Sequence, residues 1–250
     1  MDNNDHDALL NRALAAAEKS LALHFAGANL AFATGSIMRG QGTAASDIDL
    51  VVVFPQLDRA WRESFFEDGF PVETFVHDPQ TLAYYFAKDA QGGAPIMAGM
   101  VASGRMIGPD VELGRALQAS AVQILERGPR LFGADFDALR YRASDLADDL
   151  RGNRPAAEIR AIAAHLYPQL IDLMLLGRGA WTGRGKWGPR LLLRLKPDLA
   201  EALDRAFQQA VEGDAASLLT LADAELARHG GPHFAGYKLD APLGARLIPS

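Results

Sequence analysis

Apolar residues recur at helical spacing over residues 6–25, with neither Gly nor Pro intervening, and predict an amphipathic helix. Asn29 to Thr34 (NLAFAT) then reads as a short strand that stops at Gly35-Ser36. After a loop of Gly, Thr, Ala and Ser comes Asp47-Ile48-Asp49-Leu50-Val51-Val52-Val53-Phe54, whose β-branched tail, closed by Pro55, predicts a buried strand. Asp58 to Glu67 carries a helical pattern. Asp68-Gly69 turns the chain into Val72-Glu73-Thr74-Phe75-Val76, which alternates as a strand and ends at Asp78-Pro79. Three strands with helices between them predict an α/β arrangement.

Beyond about Leu113 the strand signal disappears. Helical segments are predicted over roughly 113–127, 134–151, 155–177, 187–195, 198–212 and 214–229, punctuated by Gly, Pro and Asp. The tail from Gly230 is loop-like. This change of class places a boundary between residues 1–112 and 113–250.

Composition narrows what such a chain can do. The 250 residues carry a net charge of −6, so the surface as a whole is not a nucleic-acid footprint. A polyanionic substrate must then be met by a local basic patch or by metal ions. The absence of cysteine excludes disulfides, thiolate nucleophiles and Cys-ligated zinc, and suits a reducing cytoplasm. The acidic start MDNNDHDALL lacks the basic region of a secretory signal. The apolar runs are shorter than the roughly 18 residues of a membrane span. A soluble, cytoplasmic protein without a membrane partner is expected.

The chemistry concentrates in Gly35-Ser36, ten residues, then Asp47-Ile48-Asp49 at the head of a hydrophobic strand. On a strand, Asp47 and Asp49 project to the same side. Two carboxylates there repel each other unless they chelate a hard cation, and Mg²⁺ suits one or two carboxylates with phosphate and water. Glu73 interrupts the next apolar strand, and if the two strands pair it lies level with the aspartates. Three carboxylates around one or two Mg²⁺ ions are suited to in-line attack at phosphorus. Glycine at a strand end lets backbone N–H groups approach a phosphate, and a hydroxyl at the start of a helix adds a donor. Ser46 is read as a turn former and His77 as a strand-end residue.

On these residues the sequence resembles the DNA polymerase β-like nucleotidyltransferases, and within them the aminoglycoside (streptomycin/spectinomycin-type) enzymes. Gly35, Ser36, Asp47, Asp49 and Glu73 match that pattern one by one, and residues 72–76 are similar to its third-carboxylate strand. The resemblance implies an α+β fold: an N-terminal nucleotidyltransferase α/β domain with a small mixed sheet, then an α-helical bundle. It also implies Mg²⁺, two ions by expectation, and ATP or another NTP as co-substrate. AMP would pass to a hydroxyl of a small molecule, aminoglycoside-like in the first reading, without a nucleic-acid template. Two alternatives stand beside it: AMP transfer to a protein, as in regulatory or antitoxin-type enzymes, and a non-catalytic nucleotide-sensing module.

From Leu173 to Pro197 the chain has no acid but holds Arg178, Arg184, Lys186, Arg190, Arg194 and Lys196. On a helix starting near Trp187, Lys186, Arg190 and Arg194 fall on one face. Lys186 and Arg190 are the candidate triphosphate contacts, with Lys186 matching a basic residue of the streptomycin-type relatives; a solvated basic face is the competing reading. Gly183-Arg184-Gly185-Lys186 is not a P-loop, because Ala180 stands where the first glycine belongs and Trp187 replaces Ser/Thr. Arg160 and His165 resemble the Arg…His pair of HEPN-type ribonucleases, a spacing common on helices. Gly230, Gly231 and Pro232 preclude a helix joining His229 and His233, which argues against a zinc site.

Overall fold

A computed structural model describes residues 3–43 and 45–241, with the side chains of 3–5 left aside. It divides into two compact units, Met1–Gly128 and Pro129–Ser250. The first holds a helix α1 (Asn3–His24), strands β1 (Leu30–Thr34), β2 (Ile48–Val53), β3 (Trp61–Glu67) and β4 (Phe70–His77), helices α2 (Pro79–Gln91) and α3 (Ile96–Ser103), strand β5 (Arg105–Ile107) and helix α4 (Val111–Arg127). The strands form one mixed sheet in the order β3-β4-β2-β1-β5, with β2 and β4 parallel and the other pairs antiparallel.

Alternation along β2 sorts its side chains between two cores. Ile48, Leu50 and Val52 join Leu9, Ala13, Ala16 and Ala17 of α1 on one face. Val51 and Val53 join Leu82 and Phe86 of α2, Met97 and Val101 of α3, and Ala121 of α4 on the other. Asp49 belongs to this second face, two residues before Val51. The sheet is therefore dry where helices cover Val51 and Val53, and turns polar at the head of β2.

Three expectations are corrected. Residues 58–67 do not form a helix: Trp61–Glu67 is the edge strand β3, paired with β4 alone. Its outer edge and most of its side chains face solvent, so charged residues break the alternation that would mark a strand. Asp68 and Gly69 both have positive φ, 48° and 85°, and join Glu67 to Phe70 as a two-residue hairpin turn. Asp-Gly favours that turn because it fits the right-handed twist of the strands. Second, residues 79–107 hold α2, α3 and β5, which the sequence pattern did not separate. Asp78 caps α2 through a reciprocal pair with Thr81, and Pro79 occupies its first turn. Third, α4 packs with the sheet through Leu113, Leu117, Ala121 and Ile124, so the compact first unit reaches Gly128, past residue 112.

The second unit is all-helical among its described residues: α5 (Ala134–Leu150), α6 (Ala156–Leu176), α7 (Trp187–Leu195), α8 (Pro197–Glu212) and α9 (Ala216–Arg228). These match the predicted helices closely. Helix α6 is, by length and composition alone, apolar enough to cross a membrane, contrary to the reading of short apolar runs. Half of that stretch is buried, and Leu166, Leu170, Ile171 and Met174 form the centre of the helical core. The tail has no helix or strand from Gly230 to residue 241; residues 242–250 lie outside the described residues.

Candidate active site

Register builds the site. Thr34 of β1 pairs with Asp49 of β2, Asp49 with Glu73 of β4, and Glu73 with Ser64 of β3. These residues form one row across four strands. Asp47 lies one residue before β2 and is exposed, while Asp49 and Glu73 are half-buried. One oxygen from each of Asp47, Asp49 and Glu73 lies within 4.8 Å of the other two, the only His/Asp/Glu cluster of that kind among the described residues. At that separation each pair of negative charges costs about 3 kcal/mol at an effective dielectric of 20.

Gly35 follows Thr34 and turns the chain beside this row. Its φ is 103°, and a Cβ there would lie 3.0 Å from Asp49 Oδ2. Both the left-handed backbone and the close approach require glycine. Ser36–Gly40 is a tight turn, closed by Gln41 N–H to the Ser36 carbonyl at 2.9 Å and Gly40 N–H to the Ile37 carbonyl at 3.0 Å. Ser36 thus opens a single turn, where a helix start was expected. Ser46 Oγ accepts from the Thr43 N–H at 2.9 Å, as a turn former does.

The electrostatics carry the mark of an uncompensated cluster. Burial, then the charges of Asp47 and Glu73, push the Asp49 carboxyl up to about 6; Arg39 and Arg62 partly oppose them. Sequence reasoning missed both arginines. Arg39 ends the Gly35-Ser36 turn and donates to Thr34 Oγ1 at 3.5 Å. Arg62 reaches across from β3 to contact Glu73, with its guanidinium 4.9 Å from the centre of the Phe75 ring. The clue to Arg62 was the Asp-Gly hairpin, which makes its segment a strand antiparallel to the one bearing Glu73.

The donor set fits a hard divalent cation. It offers only carboxylate oxygens, converging at the end of a sheet, with repulsion that such an ion relieves. Asp47, Asp49 and Glu73 are the residues to hold it.

In the helical unit, Lys186, Arg190 and Arg194 are exposed, opposite the buried Gly188 and Leu192 of α7. Lys186 stands at the start of the helix, and the Arg190 guanidinium lies 5.3 Å over the Trp187 ring. Gly183, Arg184 and Gly185 line an open cavity of about 250 Å³ with Tyr167 and Asp172. Burial raises the Asp172 carboxyl despite a hydrogen bond from Thr182 Oγ1 at 2.5 Å. His165 is exposed, and the Arg160 side chain reaches the Val211 carbonyl at 3.5 Å. His229 is held by Glu225, whereas His233 packs against Tyr237. His77 is buried at the end of β4, 3.3 Å from Thr81 Oγ1 and edge-on to Tyr85.

Comparison with known proteins agrees with this geometry. Residues 23–83 match the family model of the nucleotidyltransferase domain, a stretch that contains Gly35, Ser36 and all three carboxylates. Among solved structures, the chain is similar to a nucleotidyltransferase-like protein from Exiguobacterium sibiricum. That likeness is 12% identical, covers 86% of this chain and 77% of that one, and has a TM-score of 0.48. No curated protein matches the chain. The first unit carries a nucleotidyltransferase domain, and the protein is an enzyme of that class.

Proposed function

We propose that the protein transfers AMP from ATP to a hydroxyl of a small-molecule acceptor, with Mg²⁺ held by Asp47, Asp49 and Glu73. The observation that carries this reading is the pairing of Asp49 with Glu73 in register, with Gly35 closed against Asp49 Oδ2. When bound, Mg²⁺ supplies positive charge to the α-phosphate and the leaving pyrophosphate. The turn at Gly35 and Ser36 gives backbone N–H groups and a hydroxyl to the β- and γ-phosphates. Glu73 accepts the proton of the acceptor hydroxyl as its oxygen bonds to the α-phosphorus. The α–β P–O bond breaks on the opposite side. Positioning and charge neutralisation carry most of the catalysis.

Lys186 and Arg190 are assigned to the triphosphate, supported by their exposure on one face of α7 within a stretch that has no acid. The net charge of −6 speaks against a nucleic-acid template and leaves a polyhydroxylated, amine-bearing molecule as the acceptor class, in the cytoplasm where ATP and Mg²⁺ are at hand.

The test is incubation with α-labelled ATP and Mg²⁺, against a panel of aminoglycosides and other polyols and, separately, lysate proteins. Label on a small molecule, lost in Asp49→Asn, is the expected result. Label on protein alone would replace the acceptor class. No Asp49-dependent transfer to any acceptor would overturn the reading.

A further inference from the structure

Arg62 makes a contact that the proposed chemistry leaves unexplained. It projects from the edge strand β3 on the face that carries Glu73, since Arg62 pairs with Phe75 and Ser64 pairs with Glu73. Its guanidinium lies over the Phe75 ring and ends on Glu73 Oε1, the carboxylate that would hold a metal ion. The Arg62 side chain is 57% exposed and that of Glu73 31%. An ion pair this open is weak and exchanges readily. The stem resting on the aromatic ring keeps the guanidinium near while its head remains free to change partner. A triphosphate offers that head a better partner, because guanidinium pairs with phosphate through parallel charge-assisted bonds.

We infer that Arg62 is a positioning residue, a tethered counter-ion that occupies Glu73 while the nucleotide is absent and moves onto phosphate when it binds. The inference rests on the proposed metal site at Asp47, Asp49 and Glu73. It makes the third carboxylate available to a cation chiefly in the nucleotide complex, so nucleotide and cation bind with positive coupling. It also places a positive charge beside the phosphates at the moment the guanidinium leaves Glu73.

The test is a Mn²⁺ titration of the full chain, followed by the spin-resonance signal of free Mn²⁺, with and without a non-hydrolysable ATP analogue. Without nucleotide, Arg62→Met should bind Mn²⁺ more tightly than wild type by on the order of 10-fold, within the usual range of a coupling between neighbouring sites. The analogue should raise Mn²⁺ affinity more in wild type than in Arg62→Met. Arg62→Lys, which keeps the charge without the fork, should stay close to wild type in the nucleotide-free titration. In a Glu73→Gln background the effect of Arg62→Met should vanish. Equal Mn²⁺ affinity in wild type and Arg62→Met, with Glu73→Gln weaker than both, would overturn the inference while sparing the metal site. Unchanged Mn²⁺ binding in both Glu73→Gln and Asp49→Asn would defeat the metal site and the inference together. Near-ultraviolet circular dichroism on each variant verifies that the fold is retained.

Discussion

In the helical unit, Glu225 is 4% exposed, yet its charge is fully met. Arg178 donates through both guanidinium nitrogens, at 2.6 and 2.8 Å, and the His229 ring lies 2.9 Å away. Arg178 also donates to the Met174 carbonyl at 2.8 Å. Burial pushes the Glu225 carboxyl up, but the Arg178 fork and His229 outweigh it and hold it below the ordinary range. In the sheet unit, three carboxylates converge within 4.8 Å, and burial and mutual repulsion prevail at Asp49 despite two arginines. One cluster closes its own charge balance. The other leaves negative charge that only a ligand can neutralise. A buried charge with its partners in place is architecture, whereas like charges brought together by strand register are a site in waiting.

The strongest way to break this contrast is to remove one partner from the satisfied cluster. Arg178→Met leaves Glu225 and His229 without the fork that offsets burial, and breaking a buried pair in this way costs about 3–5 kcal/mol. Urea unfolding should show that loss, with transfer per folded molecule retained. A variant that unfolds like wild type but has lost transfer would place the Arg178 cluster in the chemistry and undo the comparison.

A second test asks whether the exposed basic row of α7 is the positive counterpart of the triad. Lys186 makes no ion pair among the described residues, and a charge-assisted bond to phosphate contributes roughly 1.5–3 kcal/mol. Lys186→Ala should weaken ATP binding by on the order of 10- to 100-fold in calorimetry and leave AMP nearly unchanged. Unchanged ATP affinity in both Lys186→Ala and Arg190→Ala would make the row a solvated face.

The parts of the molecule legible in sequence are those whose signal is local. Period-2 alternation in residues 48–53 and 72–76, and the fixed interval from Gly35 to Asp47, exposed Asp49 and Glu73 before any pairing was known. That they lie side by side depends on β2 and β4 being parallel neighbours, which no local pattern encodes. Arg62 was hidden because an edge strand with one exposed face need not alternate, and WRESFF is as compatible with a helix. The three-residue β5 lies below the length at which periodicity means anything. Arg178 and Glu225 are 47 residues apart, so their pairing is visible only in the fold.

The smallest expected effect is the most direct measure of uncompensated charge: stability of the metal-free protein against pH. Asp49 has a carboxyl raised from 3.8 to about 6 in the folded chain, so between those values the folded state holds a proton that the unfolded state has released. Stability should therefore fall as pH rises from about 4 to about 6, then level off, the reverse of a salt-bridged acid. A shift of that size corresponds to at most about 3 kcal/mol, and partial solvent exposure reduces it to on the order of 1–2 kcal/mol. Asp49→Asn removes both the titration and the repulsion. Measured by thermal unfolding in chelator at pH 7, that variant should be more stable than wild type by a similar amount, although it has lost transfer. At pH 4, where wild-type Asp49 is already protonated in the folded state, the two should unfold at nearly the same temperature. Added Mg²⁺ should stabilise wild type at pH 7 and leave Asp49→Asn almost unmoved. If instead wild type is the more stable at pH 7 without metal, Asp49 is held by favourable contacts within the chain, and the triad belongs with Glu225 as architecture.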